Sequence, residues 1–238
     1  VEFHPAYHEV MGSAIAHGVS GLSWAQPQAG AHVARAALSY LHYQAEPGSS
    51  CPLTMTHAGA SVLRREPALK EWFDKAAAPH YDSRFTPISS KQGITLGMGM
   101  TEKQGGSDVR TNVTQARPTG AEGDYTLHGH KWFTSAPMND VFLVLAQAPG
   151  GLTCFLVPRS LPDGTRNVFD IARLKDKLGN RSNASSELEF DGTLAHRLGD
   201  EGRGVRTIIE MVAATRLDCV LGSAALMRRS VAEASWHA

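Results

Sequence analysis

The run Gly97-Met98-Gly99-Met100-Thr101-Glu102-Lys103-Gln104-Gly105-Gly106-Ser107-Asp108 gathers the groups best suited to holding an anion. It starts as a strand-like alternation of Ile94, Leu96, Met98 and Met100 with smaller residues, and it ends in a Gly-Gly-Ser-Asp turn. Glycines let successive backbone N–H groups converge, and the Ser107 hydroxyl adds a donor. Thr101 supplies a further donor and acceptor where the strand ends. Two familiar phosphate loops are excluded. Gly97 and Gly99 would open a Gly-x-Gly-x-x-Gly fingerprint, but the third position holds Glu102, and no Gly-Lys-Ser/Thr follows.

A second candidate segment is His128 to Ser135, which alternates like a strand. Strict alternation sends Trp132 and Thr134 to one face and Lys131, Phe133 and Ser135 to the other. A third is Arg216, four residues after Val212 and four before Val220 on an apolar helical stripe. A charge on such a stripe must find a partner. The segment Lys175–Ser185, with Lys175, Lys177 and Arg181, reads equally as the lining of a polyanion or as a polar loop between strands. His4, His8 and His17 lack carboxylate or thiol partners at ligand spacing, so no metal site is expected.

The elements that must position these groups fall into three blocks. Residues 1–92 read as a helical domain. Helical stretches run from Tyr7 to Ser23, Ala29 to Gln44 (with Val33, Ala37 and Leu41 as its buried stripe), Pro52 to Arg65 and Lys70 to Ala78. From about Pro87 the spacing changes to alternation. Residues 93–201 read as strands near Ile94–Met100, Val113–Pro118, Asp124–Ser135, Val141–Gln147, Thr153–Pro158, Phe169–Leu174, Ser186–Phe190 and Leu194–Leu198. Together these predict an antiparallel, barrel-like sheet. Residues 202–238 read as one long helix, with Val205, Ile208, Ile209, Val212, Val220, Ala224, Met227 and Val231 as its buried face. Helices segregated from a sheet define an α+β fold. The chain begins at Val1 rather than methionine and stops inside a helical pattern without a stop signal, so it reads as a piece of a longer protein that continues into a C-terminal helical bundle.

These motifs together resemble the acyl-CoA dehydrogenase flavoproteins, whose flavin loop reads Thr-Glu-Pro-x-x-Gly-Ser-Asp. Here it is Thr101-Glu102-Lys103-Gln104-Gly105-Gly106-Ser107-Asp108, and Lys-Gln-Gly-Gly in its middle resembles the AidB-like branch linked to the adaptive response to DNA alkylation. The similarity continues through Gly129–Ser135, Lys177–Ser185 and the helix around Thr215-Arg216. It implies FAD as cofactor. The Met100 backbone and Thr101 would face the flavin pyrimidine edge, Gly106 and Ser107 its pyrophosphate, Phe133 its ring and Ser135 its N5, with Met98 and Thr134 also counted among the cofactor-binding residues. Arg216 would approach the CoA part of a substrate, although Ala213 stands where relatives carry an acidic residue or Asn. No catalytic residue is named. Thr215 occupies one family position for the catalytic glutamate, and the other lies beyond Ala238. Glu102 belongs to the flavin loop, and Glu210 reads as an exposed residue or ion-pair partner. This chain alone is therefore expected to show no acyl-CoA dehydrogenase turnover.

The resemblance further implies a homotetramer, an acyl-CoA ligand of isovaleryl type, and double-stranded DNA bound through the missing C-terminal domain rather than by Arg228 or Arg229. Three function classes stay open: an AidB-type flavoprotein with weak dehydrogenase activity, an ordinary metabolic acyl-CoA dehydrogenase, and a non-catalytic binding module of the same fold. A formal net charge of +0 gives no support for nucleic-acid binding by this chain itself. Cys51, Cys154 and Cys219 are widely spaced and odd in number, which points to a reducing cytoplasm rather than a disulfide framework. No apolar run is long enough to span a bilayer.

Overall fold

The computed structural model describes residues 2–238. Six α-helices and seven strands follow in order: α1 (Pro5–Ala16), α2 (Leu22–Ala25), α3 (Ala31–Ala45), α4 (Ser50–Leu63), α5 (Lys70–Ala77), β1 (Leu96–Gly99), β2 (Gln115–Pro118), β3 (Asp124–Ser135), β4 (Val141–Ala148), β5 (Gly151–Pro158), β6 (Phe169–Leu174), β7 (Ser185–Leu198) and α6 (Gly204–His237). Among the described residues no helix is long and apolar enough to cross a membrane.

The strands close into a barrel. β3 pairs with β7, β7 with β5, and β5 with β4. The slot between β4 and β3 is filled in two pieces. β1 pairs with β4 from Leu96↔Val141 to Gly99↔Val144 and meets β3 at Gly99↔Thr134, while β2 pairs with the earlier half of β3 and meets β4 at Gln115↔Gln147. The β4 pairings of β1 and β2 are parallel, so the sheet is mixed where strict antiparallel pairing is predicted from the sequence. The residues between β1 and β2 leave the wall where the two pieces abut. β7 is a single strand, not two; β6 pairs with its Ser186–Phe190 stretch, while β5 pairs with its Leu198 end, and Phe169 of β6 joins the barrel core.

Burial follows from this closure. β4 (VFLVLAQA) is buried on both faces, as its unbroken apolar run requires. Phe142 and Val144 point into the barrel with Leu127, Phe155, Leu188 and Phe190. Leu143 and Leu145 point outward onto Ala58, Val62 and Leu63 of α4 and Ile208 and Met211 of α6. The helix α4 lies close against β1, because a Cβ on Gly59 would sit 2.5 Å from Leu96.

The long helix departs from its predicted face. Its buried residues are Gly204, Ile208, Met211, Thr215, Asp218, Gly222 and Ala225, whereas Val205, Ile209, Val220, Met227 and Val231 are exposed. Arg216 is exposed as well, not buried. In α3 the buried side is Ala31, Arg35 and Ser39, and the predicted stripe residues Val33 and Leu41 face solvent. The reason is a close polar contact between the two helices. Arg35 pairs bidentately with Asp218, its Nη2 donating over 2.7 Å, and its Nε donates to the Val19 carbonyl over 2.7 Å. A Cβ on Gly222 would stand 2.8 Å from the Tyr43 ring. Small and paired residues let the helices approach, and the bulky apolar side chains are left on the far sides.

Candidate functional site

The site begins at the break between β1 and β2. Where the wall changes strand, Val113 and Thr114 present backbone N–H groups with no strand opposite. The Glu102 carboxylate takes both, at 2.7 Å and 3.2 Å, and also accepts from Gln104 Nε2 at 2.9 Å. Lys131 reaches the same carboxylate from within the barrel at 2.6 Å, and neither side chain is exposed at all. Burial would raise the Glu102 pKa, but Lys131 and the other donors more than reverse this and hold it at about 2. Glu102 is therefore a fixed structural anion, which excludes it as a proton acceptor. Sequence reading did not find this pair. Its signal was there: Lys131 shares inward parity with Tyr125 and Leu127, so its ammonium required a buried partner.

Anchored in this way, the loop folds back on itself. Glu102 and Gly105 exchange backbone bonds, Asn112 Nδ2 donates to the Met100 carbonyl over 2.9 Å, and Trp132 N–H donates to the Thr101 carbonyl over 2.8 Å. The last bond ties the loop to β3. Gly106 lies against Thr101, and a Cβ there would come within 2.6 Å of Thr101 Oγ1. Any side chain at 106 would thus displace the Thr101 hydroxyl. Ser107 is exposed beyond it, and Asp108 is held by Arg110. Met98 and Met100 are half-buried against the helical core.

On β3 the predicted alternation fails. A bulge between Lys131 and Thr134 puts three steps of β3 opposite two of β7. Lys131 and Thr134 consequently both turn inward, and Trp132 and Phe133 both turn outward. Lys175 Nζ stands 3.4 Å from the Trp132 ring centre and 4.4 Å from that of Phe133, so the rings share one surface. Phe133 remains 47% exposed, an uncovered aromatic face beside the loop. Thr134 is fully enclosed, its Oγ1 lacking a partner in the barrel interior near Gly99 and Val144. Its side chain is thereby removed from the surface that Phe133 presents. Ser135 escapes the bulge and sits at the mouth, with its Oγ 3.4 Å from that of Ser185. Burial pushes the Cys51 thiol pKa up, with Ser135 and Asn183 acting the other way, and Lys177 Nζ reaches Ser185 Oγ over 3.2 Å. The segment from Lys175 to Ser185 is thus a rim of the site and not a detached loop.

Thr101, Gly106, Phe133 and Ser135 are accordingly joined through the loop and the end of β3. They form an open face, with Gly106 and Phe133 exposed. Arg216 is not drawn in by any ion pair among the described residues. Glu210, in contrast, pairs with Arg65. A loop cradle that only glycine leaves open, an uncovered ring and a hydroxyl at the mouth fit a planar ring system carrying a phosphate tail.

Comparison with known proteins gives the same frame. The family model of the adaptive response protein AidB N-terminal domain matches residues 1–83, and that of the acyl-CoA dehydrogenase middle domain matches 97–193. AidB of Escherichia coli (strain K12), an acyl-CoA dehydrogenase by name, is 51% identical over 241 residues, covering 100% of this chain and 44% of that protein. Caenorhabditis elegans ACDH-11, solved in complex with C11-CoA, superposes with a TM-score of 0.84 at 29% identity, over 96% of this chain and 40% of that one. Glutaryl-CoA dehydrogenase of Mycobacterium smegmatis, solved with FADH2, shares the fold at a TM-score of 0.72 and 23% identity, over 94% of this chain and 55% of that one. The chain spans less than half the length of the first two relatives. With both domain models matched and similarity to AidB along its whole length, the chain belongs to the AidB-like branch of the acyl-CoA dehydrogenase family.

Proposed function

We propose that this chain is the flavin-binding portion of an AidB-type acyl-CoA dehydrogenase homologue, with FAD as its cofactor. The observation that carries the reading is the contact of Gly106 with Thr101, next to the exposed Phe133 ring. The Gly105-Gly106-Ser107 backbone and hydroxyl would receive the pyrophosphate, Thr101 the pyrimidine edge, Phe133 one ring face, and Ser135 the N5 edge. When bound, FAD supplies the hydride acceptor for α,β-desaturation of an acyl thioester. The chain's own residues bind and orient. Lys131 and Glu102 hold the loop, and Lys175 fixes the Trp132 and Phe133 rings.

Glu102 is enclosed and saturated with donors and Glu210 pairs with Arg65, so neither is assigned as the α-proton acceptor. We therefore assign that carboxylate to residues beyond Ala238, together with the double-stranded DNA contacts of the adaptive response to alkylation. We further assign an acyl-CoA ligand, a homotetrameric assembly and a cytoplasmic location to the full-length protein.

The test is a flavin absorbance spectrum of the purified chain after incubation with FAD and gel filtration, alongside Gly106→Val and Ser135→Ala. The wild-type chain is expected to retain flavin, Gly106→Val to lose it, and Ser135→Ala to shift the spectrum. Retention of flavin by Gly106→Val at the wild-type level would remove the proposed site. In the full-length protein, bleaching by isovaleryl-CoA against a salt-dependent DNA shift separates metabolic from AidB-type roles.

A further inference from the structure

The connection from β5 to β6 is a closed excursion. Ser160 and Arg166 bridge, Leu161 N–H donates to the Thr165 carbonyl over 2.9 Å, and the turn passes through Gly164 at φ +86°. Asp163 secures it by accepting from Thr165 N at 2.9 Å and Oγ1 at 2.6 Å. Closure brings Arg159 and Arg166 to the same place, where β5, β6 and the β3–β4 turn meet. Both line a cavity of about 220 Å³ whose other walls are apolar, chiefly Met138, Phe169 and Ile171.

The two guanidiniums are held but not neutralised. Arg159 stacks on Phe85 with its Cζ 4.7 Å from the ring centre and donates to the Met138 carbonyl. Arg166 donates to the Phe169 carbonyl over 3.2 Å. Among the described residues, neither has a carboxylate within ion-pair distance. The acidic neighbour, Asp140, is taken by Lys91 and by the Thr95 N–H at 2.8 Å and hydroxyl at 3.2 Å. Burial lowers the Arg159 pKa, the nearby Asp140 carboxylate works against this, and the like charge of Arg166 adds to it. Two guanidiniums without an ion-pair partner against an apolar wall describe an anion site with one greasy side.

We infer that this cavity binds a small carboxylate with an apolar body, its oxygens held by Arg159 and Arg166 and its body against Met138, Phe169 and Ile171. A guanidinium fork matches a carboxylate bidentately, and inorganic phosphate has no part that would use the apolar wall. The volume lies below the roughly 300–1,000 Å³ of drug-sized pockets, which restricts the guest to a small acid. The site uses none of the residues assigned to flavin, so it stands or falls separately from that reading.

The experiment is calorimetric titration of the purified chain with benzoate and with inorganic phosphate at low salt. Benzoate is expected to bind one to one, and Arg166→Met, at an exposed position, to weaken it at least about tenfold with unchanged thermal unfolding. Arg159→Met tests the same site from the buried side. The inference is overturned if benzoate shows no binding up to about 10 mM, if Arg166→Met binds it as wild type does, or if phosphate binds more tightly than benzoate.

Discussion

Replacing Glu102 by Gln should unfold this protein more readily than any exposed substitution, and the size of the effect follows from the geometry. Glu102 and Lys131 are both fully enclosed, so the amide would leave an ammonium in the barrel interior without its counter-charge. Breaking one side of a buried pair costs about 3–5 kcal/mol. An independent route gives a similar figure. The Glu102 carboxyl falls from its ordinary 4.5 to about 2 on folding. A difference of roughly 2.5 units corresponds to about 3 kcal/mol at neutral pH. Because the folded value is the lower one, this stability is fully present above the ordinary carboxylate pKa and is lost as pH falls from about 4.5 towards 2. Urea unfolding of wild type, Glu102→Gln, Lys131→Met and the double variant is the assay. The single variants should lose about 3–5 kcal/mol, and the double variant should recover much of it, because no uncompensated charge remains. The glutamine amide offers one oxygen where the carboxylate offers two, so one of the Val113 and Thr114 N–H groups would lose its acceptor and recovery should be incomplete. A Glu102→Gln loss below about 1 kcal/mol, or a double variant as unstable as the worse single one, would refute this account of the loop anchor.

Three further outcomes are expected. His57 is buried against Trp24, donates its Nδ1–H to the Ser20 carbonyl over 3.0 Å, and has its pKa lowered to about 4 by burial and then by Arg35. The unfolded chain takes up this proton first, so stability should fall as pH drops from about 6.5 to 4, by up to roughly 3 kcal/mol, and His57→Gln should flatten that slope in pH-resolved thermal unfolding. Asp218→Asn leaves Arg35 buried without its carboxylate and should cost about 3–5 kcal/mol in urea unfolding, whereas Arg35→Met with Asp218→Leu should restore much of it. Gly106→Val should abolish FAD retention with little change in unfolding midpoint, since the residue is exposed and contacts only the Thr101 side chain within the loop.

Much of the fold was legible in the chain because local periodicity and burial agree. The limits of β3 and β6 coincide with the alternating runs Asp124–Ser135 and Phe169–Leu174, and α3 and α4 lie within two residues of their predicted ends. The flavin-loop motif and the family followed from a contiguous stretch, Thr101–Asp108, which can be read without knowing what folds against it.

Tertiary structure decided which side of each element faces inward. A strict period of two cannot register the bulge at Trp132-Phe133, which turns Thr134 into the barrel and leaves Phe133 uncovered. A hydrophobic stripe cannot announce that α6 will bury Asp218 and Gly222 instead, because that choice depends on Arg35 and Tyr43 arriving from α3. The sequence by itself therefore determined the order of elements, the loop chemistry and the family. The pairing of Glu102 with Lys131, the face of the long helix and the meeting of Arg159 with Arg166 were settled only when distant segments closed on each other, since a buried charge reveals its role through a partner that sequence separation conceals.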